Sequence, residues 1–213
     1  RLLGDTPAAT FAAVASVNNI ASALFRTLAA LLQTGPRRRT RTALQAVANA
    51  TWETRLYNRN IRTSPEDTLI HARHMAVVHS LDHLDRLHHR CGQNERIAVL
   101  ATDPELAPIA HELVMSIKVY LDGQTDEAQD RVNGIRKQLE RTGQAMREAT
   151  IDLASQGVTD TETALLRLDA IRWLRRVSFH IWRIMLHRSD VDRQLAQPAQ
   201  VVPENRDGEE AQA

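Results

Sequence analysis

Leu81-Asp82-His83-Leu84-Asp85-Arg86-Leu87-His88-His89 and Ile171-Arg172-Trp173-Leu174-Arg175-Arg176-Val177-Ser178-Phe179 carry the reading of the fold. In both, aliphatic side chains recur three and four positions apart, which lines one face of an α-helix. The alternation of a half-buried strand is missing. The two stretches also share a skeleton, aliphatic-x-x-Leu-x-Arg-aliphatic, at an offset of 90 residues (Leu81 against Ile171). Such an offset asks whether the chain is built twice from one unit.

Outward from these stretches the punctuation is legible. Thr6-Pro7, Ser64-Pro65 and Asp103-Pro104 each set a capping side chain before a proline, whose missing N–H costs nothing in a first turn. Thr159-Asp160-Thr161-Glu162 has capping-box spacing, and Gly35-Pro36, Gly92, Gly123 and Gly157 stand where helices should stop. These marks predict helices over about 7–33, 38–60, 65–91, 104–122, 126–156 and 160–188. Pro108 should kink or delay the fourth. Long antiparallel helices with short loops make a bundle. The expected fold is therefore all-α, an elongated six-helix bundle of two three-helix repeats, with repeat 1 over about 7–91 and repeat 2 over about 104–188. The helical domain is read as residues 1–194. Residues 195–213, with Pro198, Pro203 and an excess of acid over base, read as a disordered tail.

Composition agrees. Only eight of 213 residues are aromatic and eight are glycine, too few for a β-sandwich or a doubly wound sheet. The net charge of +1 speaks against a dedicated nucleic-acid binder. Cys91 is the only cysteine, so neither an internal disulfide nor a thiolate zinc cluster can form within the chain. No secretory signal pattern is read. The most apolar stretch, Ala8–Leu32, is interrupted by Asn18, Asn19 and Arg26 and reads as a packed helix rather than a membrane span. The chain starts at Arg1 rather than Met, which predicts further residues upstream.

Histidine is the local anomaly: six of nine fall between positions 71 and 89. At 100° per residue His71, His74, Val78, Asp82, Asp85 and His89 form one stripe. Leu69, Ala72, Ala76, Val77, Leu84 and Leu87 lie opposite and are expected in the core. Asp82, Asp85 and His89 are the candidate metal ligands, for a divalent ion such as iron or zinc. A solvated polar face, an ion-pair surface and a phosphate contact are the other readings of the same stripe. In the last helix Arg172, Arg176 and Arg183 share a stripe, a salt-bridging face or a surface for an anion. Arg37-Arg38-Arg39-x-Arg41 opens the second helix, either as a solvated start or as a contact with anionic lipid. His111-Glu112 lacks the glycine motifs a sensor kinase would need, and Asp85-x-x-His88 lacks the second half of a di-iron site. No nucleophile–base set, P-loop or dinucleotide fingerprint is present, so no enzymatic activity and no catalytic residue is expected.

Two triplets with Leu-x-Arg-aliphatic in each third helix resemble the PhoU-like family of phosphate-homeostasis regulators. Asp85-Arg86-Leu87-His88-His89 is similar to the family's first metal segment, with His89 where the family has Asp. Arg175-Arg176-Val177-Ser178-Phe179-His180 is similar to the second, but Arg175 and Phe179 replace both carboxylates. The resemblance therefore implies metal at most in the first repeat. Ile70-His71-Ala72-Arg73-His74 through His79-Ser80-Leu81-Asp82-His83-Leu84 looks most like the cytoplasmic tails of bacterial sodium–phosphate cotransporter proteins. That likeness, over about residues 7–188, implies a regulatory domain at the cytoplasmic face of the inner membrane. The fragment itself would be soluble, with a membrane transport domain upstream in the same chain and a possible homodimer. A free-standing adaptor in phosphate signalling and a metal-binding bundle are the alternative classes.

Overall fold

The computed structural model describes residues 6–196, which form seven helices and, among the described residues, no strand. They are α1 (Thr6–Thr34), α2 (Arg38–Asn58), α3 (Thr68–Cys91), α4 (Asn94–Thr102), α5 (Leu106–Leu121), α6 (Thr125–Ser155) and α7 (Thr161–Ala196). The all-helical bundle expected from periodicity is present. The helix count is corrected from six to seven. The tail expected from 195 onward lies, from residue 197, outside the described residues.

Local chemistry explains where the boundaries moved. α3 starts at Thr68, because Asp67 rather than Ser64 accepts the backbone N–H of Ile70 (3.4 Å). α4 was read as connection: it is only nine residues long, and its apolar face amounts to Ile97 and Leu100, both buried. Asp103 Oδ1 accepts the N–H groups of Glu105 and Leu106, each at 3.0 Å, and so starts α5. Pro108 then falls in the first turn, where no N–H is needed, and α5 begins at Leu106, two residues later than expected, which is the delay. Asp160 accepts the N–H and hydroxyl of Thr163 at the start of α7. Gly35, Gly123 and Gly157 all have positive φ, which lets the chain turn after α1, α5 and α6.

α1 and α7 are the two spines. α1 packs on α2, α3 and α5, while α7 packs on α6, α3 and α4; the α3–α7 contact ties the halves together. The core runs from Leu24, Phe25 and Leu28 of α1 through Leu84 and Leu87 of α3 to Ile171, Trp173 and Leu174 of α7. Phe25 meets Tyr120 of α5 edge-on at 5.0 Å between ring centroids. α1 also contains a window apolar enough to cross a membrane by length and composition, and in this fold it packs against four neighbours, α2, α3, α4 and α5. The two triplets are not packed alike. In the first, α1 contacts both partners extensively; in the second, α6 does so while α5 scarcely touches α7.

A polar clasp closes the far side. Arg167 of α7 donates from Nε to Asp103 Oδ2 (2.6 Å) and from its terminal nitrogens to Glu105, Thr150 and the Met146 carbonyl. Burial alone would raise the Asp103 carboxyl, but the Arg167 hydrogen bond, the two backbone N–H groups and the guanidinium charge hold it below its usual range. Removing the cation would leave the Asp103 carboxylate with little access to water and no counter-ion.

Two stability predictions follow from these packings. Arg167→Met should destabilise the protein by about 3–5 kcal/mol, the cost of stranding one partner of a buried pair, read by urea unfolding followed by circular dichroism. Trp173→Ala should cost a similar amount, about 3–5 kcal/mol, by emptying the core beneath α7. A change under 1 kcal/mol for either would show that the clasp or the indole is peripheral.

A histidine seam between α3 and α7

α3 and α7 run antiparallel, and their sequences decide what meets along the contact. The core face of α3 is Arg73, Val77, Ser80, Leu81, Leu84, Leu87 and Cys91, rotated from the expected one: Ala72 and Ala76 are half-buried and Leu69 is exposed. This rotation turns His79 and His83 toward α7, where His180 and His187 stand two turns apart. His79 stacks on His187, with centroids 5.4 Å apart. His83 lies 5.3 Å from His180 and 5.8 Å from His187. Phe179 closes the edge of His83, and Trp182 beside it is covered by the guanidinium groups of Arg136 and Arg183.

Hydrogen bonding assigns the protons. Arg183 Nε–H points at His83 Nε2 over a long 3.5 Å, so that nitrogen carries the lone pair. His83 then donates from Nδ1 to His180 Nδ1 at 3.1 Å, which leaves the His180 proton on Nε2. Such a chain requires both rings neutral. Electrostatics agrees: burial first, then the neighbouring His83, Arg90 and Arg86, pushes His180 down to about 4. Burial followed by Arg183, His79 and His83 also takes His187 down to about 4. His83 is lowered by burial and Arg183, with Asp82 opposing. Further along, Arg90 is lowered by burial and by Arg176, Arg96 and Arg86, and its Nε is buried without a hydrogen-bond partner. Along the seam His83, His180 and His187 are held toward the neutral form and framed by cations.

The expected metal ligands lie on the outer side of the same helix. Asp82, Asp85 and His89 are exposed. Asp82 accepts Arg86 Nε at 2.8 Å, and Asp85 faces Arg55 of α2 at 3.8 Å. The three do not assemble into a ligand group, and among the described residues no three His, Cys, Asp or Glu side chains are so arranged. One helix face spreads its side chains along the axis, and the basic residues beside these carboxylates take up their charge. Of the arginine stripe, Arg172 pairs with Asp169, Arg183 joins the seam, and Arg176 is exposed. Cys91 offers no nucleophile, since burial pushes its thiol up to about 12.

The seam's principal members, His180 and His187, were not singled out as a cluster in the sequence. Their spacing of seven, facing a His pair at spacing four, was the available signal. Comparison with protein-family models, curated proteins and solved structures finds no match to this chain. The fold and seam define, among the described residues, an all-helical bundle joined along a part-buried histidine contact.

The depressed histidines set a pH dependence with a definite sign. Unfolded, these rings titrate near 6.5; folded, His180 and His187 stay neutral down to about 4. Their neutrality costs the fold nothing above pH 6.5, and stability falls as pH drops from 6.5 toward 4 because the unfolded chain takes up the protons first. Urea midpoints measured from pH 7.5 to 4.5 should therefore decline. His180→Gln/His187→Gln should flatten that slope relative to wild type, and parallel curves would dismiss the two rings as its source.

Proposed function

We propose that this chain is a PhoU-like regulatory domain that modulates a sodium-dependent phosphate transporter through protein contacts, without catalysing a reaction of its own. The observation that carries the reading is the crossing of α3 and α7. His79 lies against His187, His83 against His180, and the Trp173 indole donates to the Arg90 carbonyl. Midway between these contacts fall Leu87 and Val177, fully buried, which are counterparts at the 90-residue offset. Matching positions at one level of this contact are what a duplicated α3/α7 element would supply, even with the helices around them packed differently. The Leu-x-Arg-aliphatic skeleton that resembles the family thus surrounds the contact joining the halves. Absence of a nucleophile–base set supports a role through binding, and the cations framing the seam suit an environment that handles anions.

Regulation would act by biasing how firmly α7 seats on α3, since both halves are tied there. On this reading the chain works at the cytoplasmic face of a membrane, beside or joined to the transport domain. A free-standing adaptor is the second reading, favoured by the charged, well-separated faces of α3 and α6.

Phosphate uptake by host cells lacking the segment encoding residues 6–196 tests the proposal. Uptake should change several-fold at limiting phosphate, and Leu87→Asp, which wedges the crossing, should reproduce the change. Restoration by the segment expressed separately would favour the adaptor. Uptake indistinguishable from wild type in both strains would sink either form.

A further inference from the structure

A groove of about 760 Å³ runs along the α1–α2 pair and contains none of the seam histidines. Its walls are short: Ala23 and Ala30 from α1 face Ala43, Ala46 and Ala50 from α2. Larger side chains at these positions would fill the space between two helices that touch along their length. Val47, Ile20 and Thr27, all buried, form the floor, and the Thr27 hydroxyl is satisfied by the Ala23 carbonyl. One end is closed by the Ser16–Thr54 hydroxyl pair at 2.7 Å. At the other, the α1–α2 turn presents Arg37 and Arg39, with Arg26 part-way along. No carboxylate lines the groove, and none of these three arginines has an ion-pair partner among the described residues.

The charged end is electrostatically unusual. Arg37, Arg38, Arg39 and Arg41 crowd the N-terminus of α2, and its first turn holds no acid. A helix N-terminus already carries partial positive charge, so cations crowded there favour an anion. Arg37 is partly answered within the chain, its Nε donating to the Thr34 carbonyl at the end of α1 (3.3 Å). An apolar slot with a concentrated cationic mouth is complementary to one ligand chemistry, an anionic head on a single aliphatic chain. The volume lies inside the range of small-molecule pockets, about 300–1,000 Å³. Ser16 to Thr34 spans about 27 Å at 1.5 Å per residue, long enough for an extended acyl chain.

We propose that the α1–α2 groove binds a free long-chain fatty acid, with its carboxylate at Arg37 and Arg39 and its chain along the alanine walls toward Ser16 and Thr54. The site does not depend on the phosphate reading above, and either can fail without the other.

Fluorescence titration of the full 213-residue chain with cis-parinaric acid, followed by competition, tests the site. Binding should saturate, and oleate should displace the probe. Methyl oleate, which keeps the chain and loses the charge, should compete about tenfold less well, as should oleate against Arg37→Gln/Arg39→Gln. Ala43→Phe fills the groove at a half-buried wall and Ala46→Phe at an exposed one; each should weaken the probe about tenfold or more with helicity unchanged. The exposed position keeps the test open should Ala43→Phe fail to fold. Several results would overturn the proposal: no saturable binding, wild-type affinity in folded Ala46→Phe, or equal competition by methyl oleate. Flotation with phosphatidylglycerol vesicles in place of probe binding would assign the arginines to a membrane surface. A dimer that Ala46→Phe converts to monomer, with no probe binding, would assign the groove to a second copy of the chain.

Discussion

The indole N–H of Trp173 donates to the carbonyl of Arg90 at 3.0 Å, and much of the architecture turns on that bond. Arg90 is the penultimate residue of α3, and its carbonyl also accepts the Gln93 backbone N–H at 3.0 Å, so the indole takes up its second lone pair. The donor belongs to a side chain only 1% exposed, in the middle of the core. One contact thus ties the end of α3 to the largest fully buried side chain and sets α7 against α3. Because the helices are antiparallel, the rest of the pairing follows from it. Leu87 and Val177 fall at the centre, and the four histidines meet beyond them.

That geometry also explains the electrostatic character of the seam. Histidine is normally the side chain most ready to charge near neutrality. Here burial and nearby arginines hold His180 and His187 neutral far below that range. Neutral rings can stack and pass hydrogen bonds from one to the next, which charged rings could not do at these separations. Elsewhere the arginines play different parts. Arg167 is fully engaged by two carboxylates, a hydroxyl and a carbonyl, whereas those at the mouth of the α1–α2 groove have no counter-ion among the described residues. The first kind closes the fold, and the second leaves positive charge facing outward.

The helical class was legible because the long elements announce themselves locally. Apolar residues three and four apart, Asp103 as a capping residue, and Gly35, Gly123 and Gly157 at the stops are properties of neighbouring residues; at the start of α7 Asp160 caps in place of the expected Thr159–Glu162 pair. α4 escaped because two turns with two buried residues produce no period to detect. Ser64-Pro65 misled for a related reason: two caps, Ser64 and Asp67, compete within one turn, and the later one wins. The histidine excess in α3 was plain, but the face it occupies was not. A rotation that buries Ser80 and Leu81 rather than Ala72 and Ala76 sends His83 inward and leaves Asp82, Asp85 and His89 exposed.

The sequence by itself determined what depends on residues a few positions apart: the helical class, the long helices and most of their ends. Capping bonds and apolar periodicity act within about one or two helical turns, so they can be read along a single chain. Tertiary structure alone decided which histidines meet, which carboxylates are spent on arginines, and where two alanine faces leave a groove open. Those outcomes depend on how far each helix rotates about its axis when it packs. That rotation is settled by the summed fit of all the buried side chains at once, Trp173 foremost among them.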